Sequence, residues 1–175
     1  MSNEYMSIYT LECEMIVQRS LSDVFPVFED PHNLAKITPP WLSFQVLSRT
    51  PLEMRKGAEI QYTIRWLGLP MRWNTLITEF VPPVLFVDEQ VEGPYKQWRH
   101  RHTFAETGQG TRIGDRVDYS LPMGIGGRLA HGFLVGRQLR QIFAYRQQKL
   151  SEIFGGATLQ TIAPGIRRRP DAINA

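Results

Sequence analysis

The sequence predicts an α+β fold: a curved antiparallel sheet of six to seven strands, two short helices and one long C-terminal helix, with a pocket between sheet and helix. Three features predict it. Apolar and polar residues alternate with period two along most of the chain, these runs are separated by short turn-rich segments, and the last strong periodicity is helical. Tight turns make antiparallel neighbours, whereas a parallel sheet needs helical crossovers.

A chain of 175 residues suits one domain with one core. The domain is read as residues 1–156, and residues 157–175 as an extended or disordered basic tail carrying Arg167, Arg168 and Arg169. Hydrophobic content of 42% with 21% charged residues is ordinary for a globular protein. No stretch approaches the roughly 18 apolar residues of a membrane span. The polar start of the chain lacks the pattern of a secretory signal, so a cytoplasmic protein is expected. The formal charge of +3 is carried partly by the tail triplet, so nucleic acid is not an expected partner. Cys13 is the single cysteine, which excludes an internal disulfide and a multi-cysteine metal cluster. It alternates with Leu11, Met15 and Val17 and reads as a buried thiol.

The first strand covers residues 8–17. Ser20 with Asp23 forms a variant capping box for a short helix containing Pro26. Asp30-Pro31 then supplies an N-cap and first residue for a second short helix, which Pro39-Pro40 stops. His32 and Asn33 at its start read as capping or loop-anchoring groups. Leu42, Phe44 and Val46 alternate next. A hairpin follows whose first arm places Ile60, Tyr62, Ile64 and Trp66 on one face. A four-residue turn, residues 67–70, would pair Trp66 with Met71, Ile64 with Trp73, Tyr62 with Thr75 and Ile60 with Ile77. Pro82-Pro83 separates this arm from a strand over 84–91, and a turn at 92–95 leads into strands 97–106 and 111–121. Leu129, Phe133, Leu139, Phe143, Leu150 and Ile153 then mark about seven helical turns, with Arg137, Gln141, Gln148 and Glu152 opposite and Gly155-Gly156 as the stop.

Four segments carry a resemblance: Asp30-Pro31-His32-Asn33-Leu34, Thr38-Pro39-Pro40, Gly93-Pro94-Tyr95, and Trp98-x-His100-x-His102-x-Phe104. With this element order, the chain over about residues 8–154 resembles the START-like, or SRPBCC, superfamily of Bet v 1, polyketide cyclases and coenzyme-Q-binding proteins. Within it, the sequence is most similar to the bacterial ligand-binding or cell-division-inhibitor-like branch. The resemblance implies a helix-grip fold and a cavity that takes lipids, polyketides, quinones or sterol-like molecules. A superfold hosts many activities, so it does not assign one.

Closing the last hairpin over residues 107–110 pairs Phe104 with Ile113, His102 with Asp115, His100 with Val117 and Trp98 with Tyr119. His100, His102, Asp115 and Tyr119 then face the helix, with Arg99, Arg101, Arg116 and Asp118 on the other side. A carboxylate beside a histidine fixes its tautomer and tunes its basicity, so His102 and Asp115 are the candidate catalytic pair. The same pair serves equally to satisfy buried polar groups or to orient a ligand. No metal site is assigned: two histidines and one aspartate could ligate an ion, but tight-turn sheets often carry such residues in their cores. The candidate ligand-binding residues are Tyr62, Trp66, Trp73, Trp98, His100, Tyr119 and Phe133, an aromatic wall with polar handles. A packed core would show the same alternation. The register near 92–96 stays open: a four-residue loop turns Val87 and Glu89 inward, and a five-residue loop turns Phe86, Asp88 and Gln90 inward.

The leading expectation is a binding protein for one small hydrophobic ligand, acting as a monomer or homodimer without a cofactor. The alternatives are a cyclase, aromatase or dehydratase using the His-Asp pair, and an interaction module presenting the sheet edge or arginine-rich tail to a protein or RNA.

Overall fold

Alternation along the chain produces the strands in the expected order. The computed structural model describes residues 7–30, 32–48, 53–66, 68–122, 134–156 and 158–169. Strand β1 is Ile8–Val17, followed by helices α1, Leu21–Glu29, and α2, Asn33–Lys36, and a 3-10 turn at Pro40–Leu42. Then come β2, Gln45–Val46; β3, Glu59–Trp66; β4, Leu69–Val81; β5, Leu85–Glu92; β6, Gln97–Thr107; and β7, Gly110–Ser120. Helix α3, Gly136–Ile153, and strand β8, Thr158–Arg169, end the described chain. The strands form one antiparallel sheet in the order β2-β3-β4-β5-β6-β7-β1-β8. This is the helix-grip architecture.

The sheet has eight strands rather than six or seven, and the additional one comes from the segment after Gly156. Instead of lying free, residues 158–169 are extended along β1. Pro164 carries no N–H for a ladder, and the β1–β8 register slips between Glu12 and Glu14 opposite it. Gln147 of α3 reaches this slip and donates to the carbonyls of Glu14, at 3.2 Å, and Ile162, at 3.0 Å. Arg167 pairs with Glu12, and Arg169 stands 4.0 Å from Asp118, so part of the basic triplet is neutralised across the outer face.

The β3–β4 hairpin is tighter than expected. Trp66 pairs with Leu69, Ile64 with Met71, Tyr62 with Trp73 and Ile60 with Thr75. Gly68 makes this closure possible by adopting φ +81°, the left-handed backbone that a short hairpin turn needs. A slip of two residues keeps strand parity, so the residues expected inward remain inward. The β6–β7 register matches the expected pairing throughout, from Trp98 opposite Tyr119 to Glu106 opposite Thr111.

Ser20 caps α1 by accepting the backbone N–H of Asp23 at 3.2 Å. The second short helix begins at Asn33, two residues later than expected, because Asp30 accepts the N–H of His32 at 2.9 Å and holds that residue in the entering turn. In α3, Leu139, Phe143 and Leu150 are buried while Arg137, Gln141, Gln148 and Glu152 face outward. Ile153 departs from the expected stripe and is exposed. Gly155 and Gly156 end the helix with φ +79° and +72°. Leu129 and Phe133 lie outside the described residues.

Two apolar clusters fill the space between helices and sheet. One gathers Phe25 and Phe28 of α1 with Phe86, Phe104, Ile113 and Leu150. The other gathers Tyr9, Leu11, Val117 and Tyr119 with Leu139 and Phe143. Among the described residues, no helix is long and apolar enough to cross a membrane.

Candidate functional site

Strand β6 sends His100 and His102 to the same face, because residues two apart share a side of a sheet. Asp88 of β5 lies opposite His100, and Asp115 of β7 lies opposite His102. The inward position of Asp88, with Phe86 opposite His102, is the arrangement of the longer 92–96 loop. Gln90 ties that loop down: its amide donates to the Tyr95 carbonyl at 2.7 Å and its oxygen accepts the Tyr95 N–H at 3.2 Å.

The hydrogen bonds run along the diagonals. Asp115 Oδ1 meets His100 Nε2 at 2.8 Å, and Asp88 Oδ2 meets His102 Nε2 at 3.1 Å. The expected His102–Asp115 pair is close, with Nδ1 and Oδ1 3.2 Å apart, but the two are not aligned for a hydrogen bond. The tighter partner of Asp115 is therefore His100. The imidazoles lie with centroids 3.7 Å apart, their planes tilted by 38°. Behind them, Arg146 of α3 points Nη1 at Asp115 Oδ1 from 3.5 Å and lies 5.0 Å over the Phe143 ring.

His100, His102, Asp115 and Arg146 are 4–7% exposed, so their charges have little water to solvate them and must satisfy one another. Burial pushes His100 down to about 4, assisted by its neighbour His102. Burial would depress His102 too, but its contacts with Asp115 and Asp88 outweigh burial and raise it. Burial alone would raise both carboxyls; the histidines and Arg146 instead hold Asp88 below and Asp115 well below the ordinary range.

This polar cluster lines a cavity of about 160 Å³. Asp88, His100, His102 and Arg146 line it, together with Tyr62, Trp66, Trp73 and Trp98 from the sheet and Leu139 and Ile142 from α3. The aromatic groups brace one another: Tyr62 stacks on Trp73 at 5.8 Å, and Trp98 meets Trp73 edge-on at 5.3 Å. Thr75 takes the Trp73 indole N–H at 3.0 Å and lies 3.3 Å from the Tyr62 hydroxyl. Their polar atoms are thus occupied and their ring surfaces face the cavity.

Tyr62, Trp66, Trp73, Trp98 and His100 therefore meet at one cavity. Tyr119 stands behind the wall instead, fully buried and stacked on Tyr9 at 5.7 Å. Asp115 is likewise set behind the histidines. Phe133 lies outside the described residues. Three contributors escaped sequence reasoning. Asp88 depended on the undecided loop parity, and Tyr95 sat in a quoted motif without a role. Arg146 falls three residues after Phe143 and four before Leu150, on the apolar stripe itself, a position that signals a buried charge.

A family model described as polyketide cyclase / dehydrase and lipid transport matches residues 17–145, a span that includes the whole polar cluster except Arg146. The chain belongs to this family. Polyketide cyclase / dehydrase and lipid transport proteins form part of the SRPBCC superfamily, which agrees with the resemblance carried by the sequence motifs. Among solved structures, protein TTHA0849 of Thermus thermophilus superposes with a TM-score of 0.63 at 19% identity, covering 85% of this chain and 98% of that one. Protein CV1439 of Chromobacterium violaceum gives 0.63 at 15% identity, over 82% of this chain and 96% of that one. Major latex-like protein 151 of Panax ginseng gives 0.59 at 12% identity, over 85% and 98%. At these identities the likeness concerns the fold. No curated protein matches the chain.

Proposed function

We propose that this protein binds one small, mostly apolar molecule in the cavity, its polar end turned toward the histidine–aspartate–arginine cluster. The observation that carries this reading is a cavity of about 160 Å³ whose lining combines aromatic rings with the polar cluster. An apolar cavity of roughly 150 Å³ holds benzene, so the buried part of the ligand has the scale of one or two rings. The family's description, which couples cyclases and dehydrases with lipid transport, supports a hydrophobic ligand. Calorimetric titration with 2-naphthol tests the reading. One-to-one binding with a negative heat-capacity change is expected, and an Ile142→Trp variant, which places an indole at the cavity lining, is expected to lose it. Equal heats in both proteins would contradict the reading.

A second reading, proton transfer of the cyclase or dehydratase kind, is favoured by one observation: His100 lines the cavity with Asp115 hydrogen-bonded behind it. Deuterium uptake at the α-carbon of 2-tetralone in D2O, followed by NMR, would be accelerated by the protein and not by a folded His100→Ala variant. An equal rate in both proteins would remove this reading.

A further inference from the structure

We propose that Asp88, His100 and His102 bind one divalent first-row transition-metal ion at the wall of the cavity. Two adjacent strands supply the set: both imidazoles project from the same face of β6, and the carboxylate comes from the neighbouring position on β5. Such an ion holds nitrogen and oxygen ligands at about 2.0–2.2 Å, which in a tetrahedral site places neighbouring ligand atoms about 3.3–3.6 Å apart. Asp88 Oδ2 stands 3.1 Å from His102 Nε2 and 3.5 Å from His100 Nδ1. One donor atom from each of the three residues falls within 4.8 Å of the others. Small side-chain adjustments bring the three onto a common centre.

The far sides of the rings supply an independent observation. A histidine that binds a metal through one nitrogen is normally held through the other by a carboxylate or carbonyl. Here Asp115 Oδ1 lies 2.8 Å from His100 Nε2 and 3.2 Å from His102 Nδ1, the nitrogens turned away from Asp88. Asp115 is thus a positioning residue for His100, to which it is hydrogen-bonded, and it stands beside His102 without a bond aligned to it; Arg146 approaches the same oxygen from 3.5 Å. Two imidazoles and one carboxylate leave coordination positions open, the ligand set used for zinc and for ferrous iron. The three residues line the cavity, so those positions face a molecule held there. The site requires no particular organic ligand, and its failure would leave the binding reading intact.

The test uses chelator-stripped full-length protein. Zn²⁺ uptake by equilibrium dialysis with elemental analysis is expected to reach one ion per chain. Asp88→Asn and His102→Gln are expected to weaken uptake at least tenfold, and Asp115→Asn by about 10–100-fold. A His32→Ala control, which removes the exposed His32–Asp30 pair, should change nothing. Co²⁺ bound to the unmutated protein should shift two imidazole proton resonances, a readout independent of whether any variant folds. Absence of stoichiometric uptake, uptake unchanged in both ligand variants, or Co²⁺ spectra without two shifted imidazoles would overturn the proposal.

Discussion

Asp115 Oδ1 lies 2.8 Å from His100 Nε2 on the neighbouring strand, although the residue directly opposite Asp115 is His102. This diagonal bond joins two side chains that are each nearly sealed from water, so neither can replace the other with solvent. Asp115→Ala is expected to destabilise the fold by about 3–5 kcal/mol, because it strands Arg146 and the histidine pair. A double-mutant cycle of Asp115→Ala with His100→Ala in urea should show a coupling of about 0.5–3 kcal/mol. Strict additivity would mean that the pair contributes nothing as a pair.

Gln147 ties the helix to the sheet at the point where β8 slips against β1. Gln147→Leu preserves approximate size but leaves two inward carbonyls short of a donor. The expected loss is about 1–3 kcal/mol. For a chain of this size each kcal/mol lowers Tm by about 2–4 °C, which differential scanning calorimetry resolves. An unchanged Tm would show that β8 is not held in this way.

Cys13 is buried, with its sulfur 3.9 Å from Asp115 Oδ2. Burial, reinforced by that carboxylate, pushes the thiol up, so the nucleophilic thiolate is suppressed at neutral pH. Native protein is expected to resist 5,5′-dithiobis(2-nitrobenzoic acid), and urea-unfolded protein to react with one thiol per chain. Rapid reaction of the native protein would place Cys13 outside the core.

The parts of this molecule that could be read from sequence share one property: their side-chain parity survives errors of turn length by two. The β3–β4 pairing slipped by two residues, yet Tyr62, Trp66 and Trp73 still line the cavity. The β6–β7 hairpin was readable in full, because its turn at Gly108-Gln109 lies between uninterrupted alternations. Asp88 was not, since four- and five-residue loops at 92–96 send opposite faces of β5 inward, and its role depends on that one residue of length. Strand β8 was hidden for a related reason: the slip near Pro164 interrupts its alternation and removes the strand signal. Arg146 was obscured by its charge, although its spacing from Phe143 and Leu150 places it on the buried stripe.

Ligand occupancy is read most directly by native mass spectrometry of gently purified protein, compared with the same sample after denaturation. The native mass is expected to exceed the denatured mass by one small organic molecule in the unmutated protein, and not in Ile142→Trp. Equal native and denatured masses, together with no adduct when 2-naphthol is added, would contradict a ligand-binding cavity between the sheet and its helix.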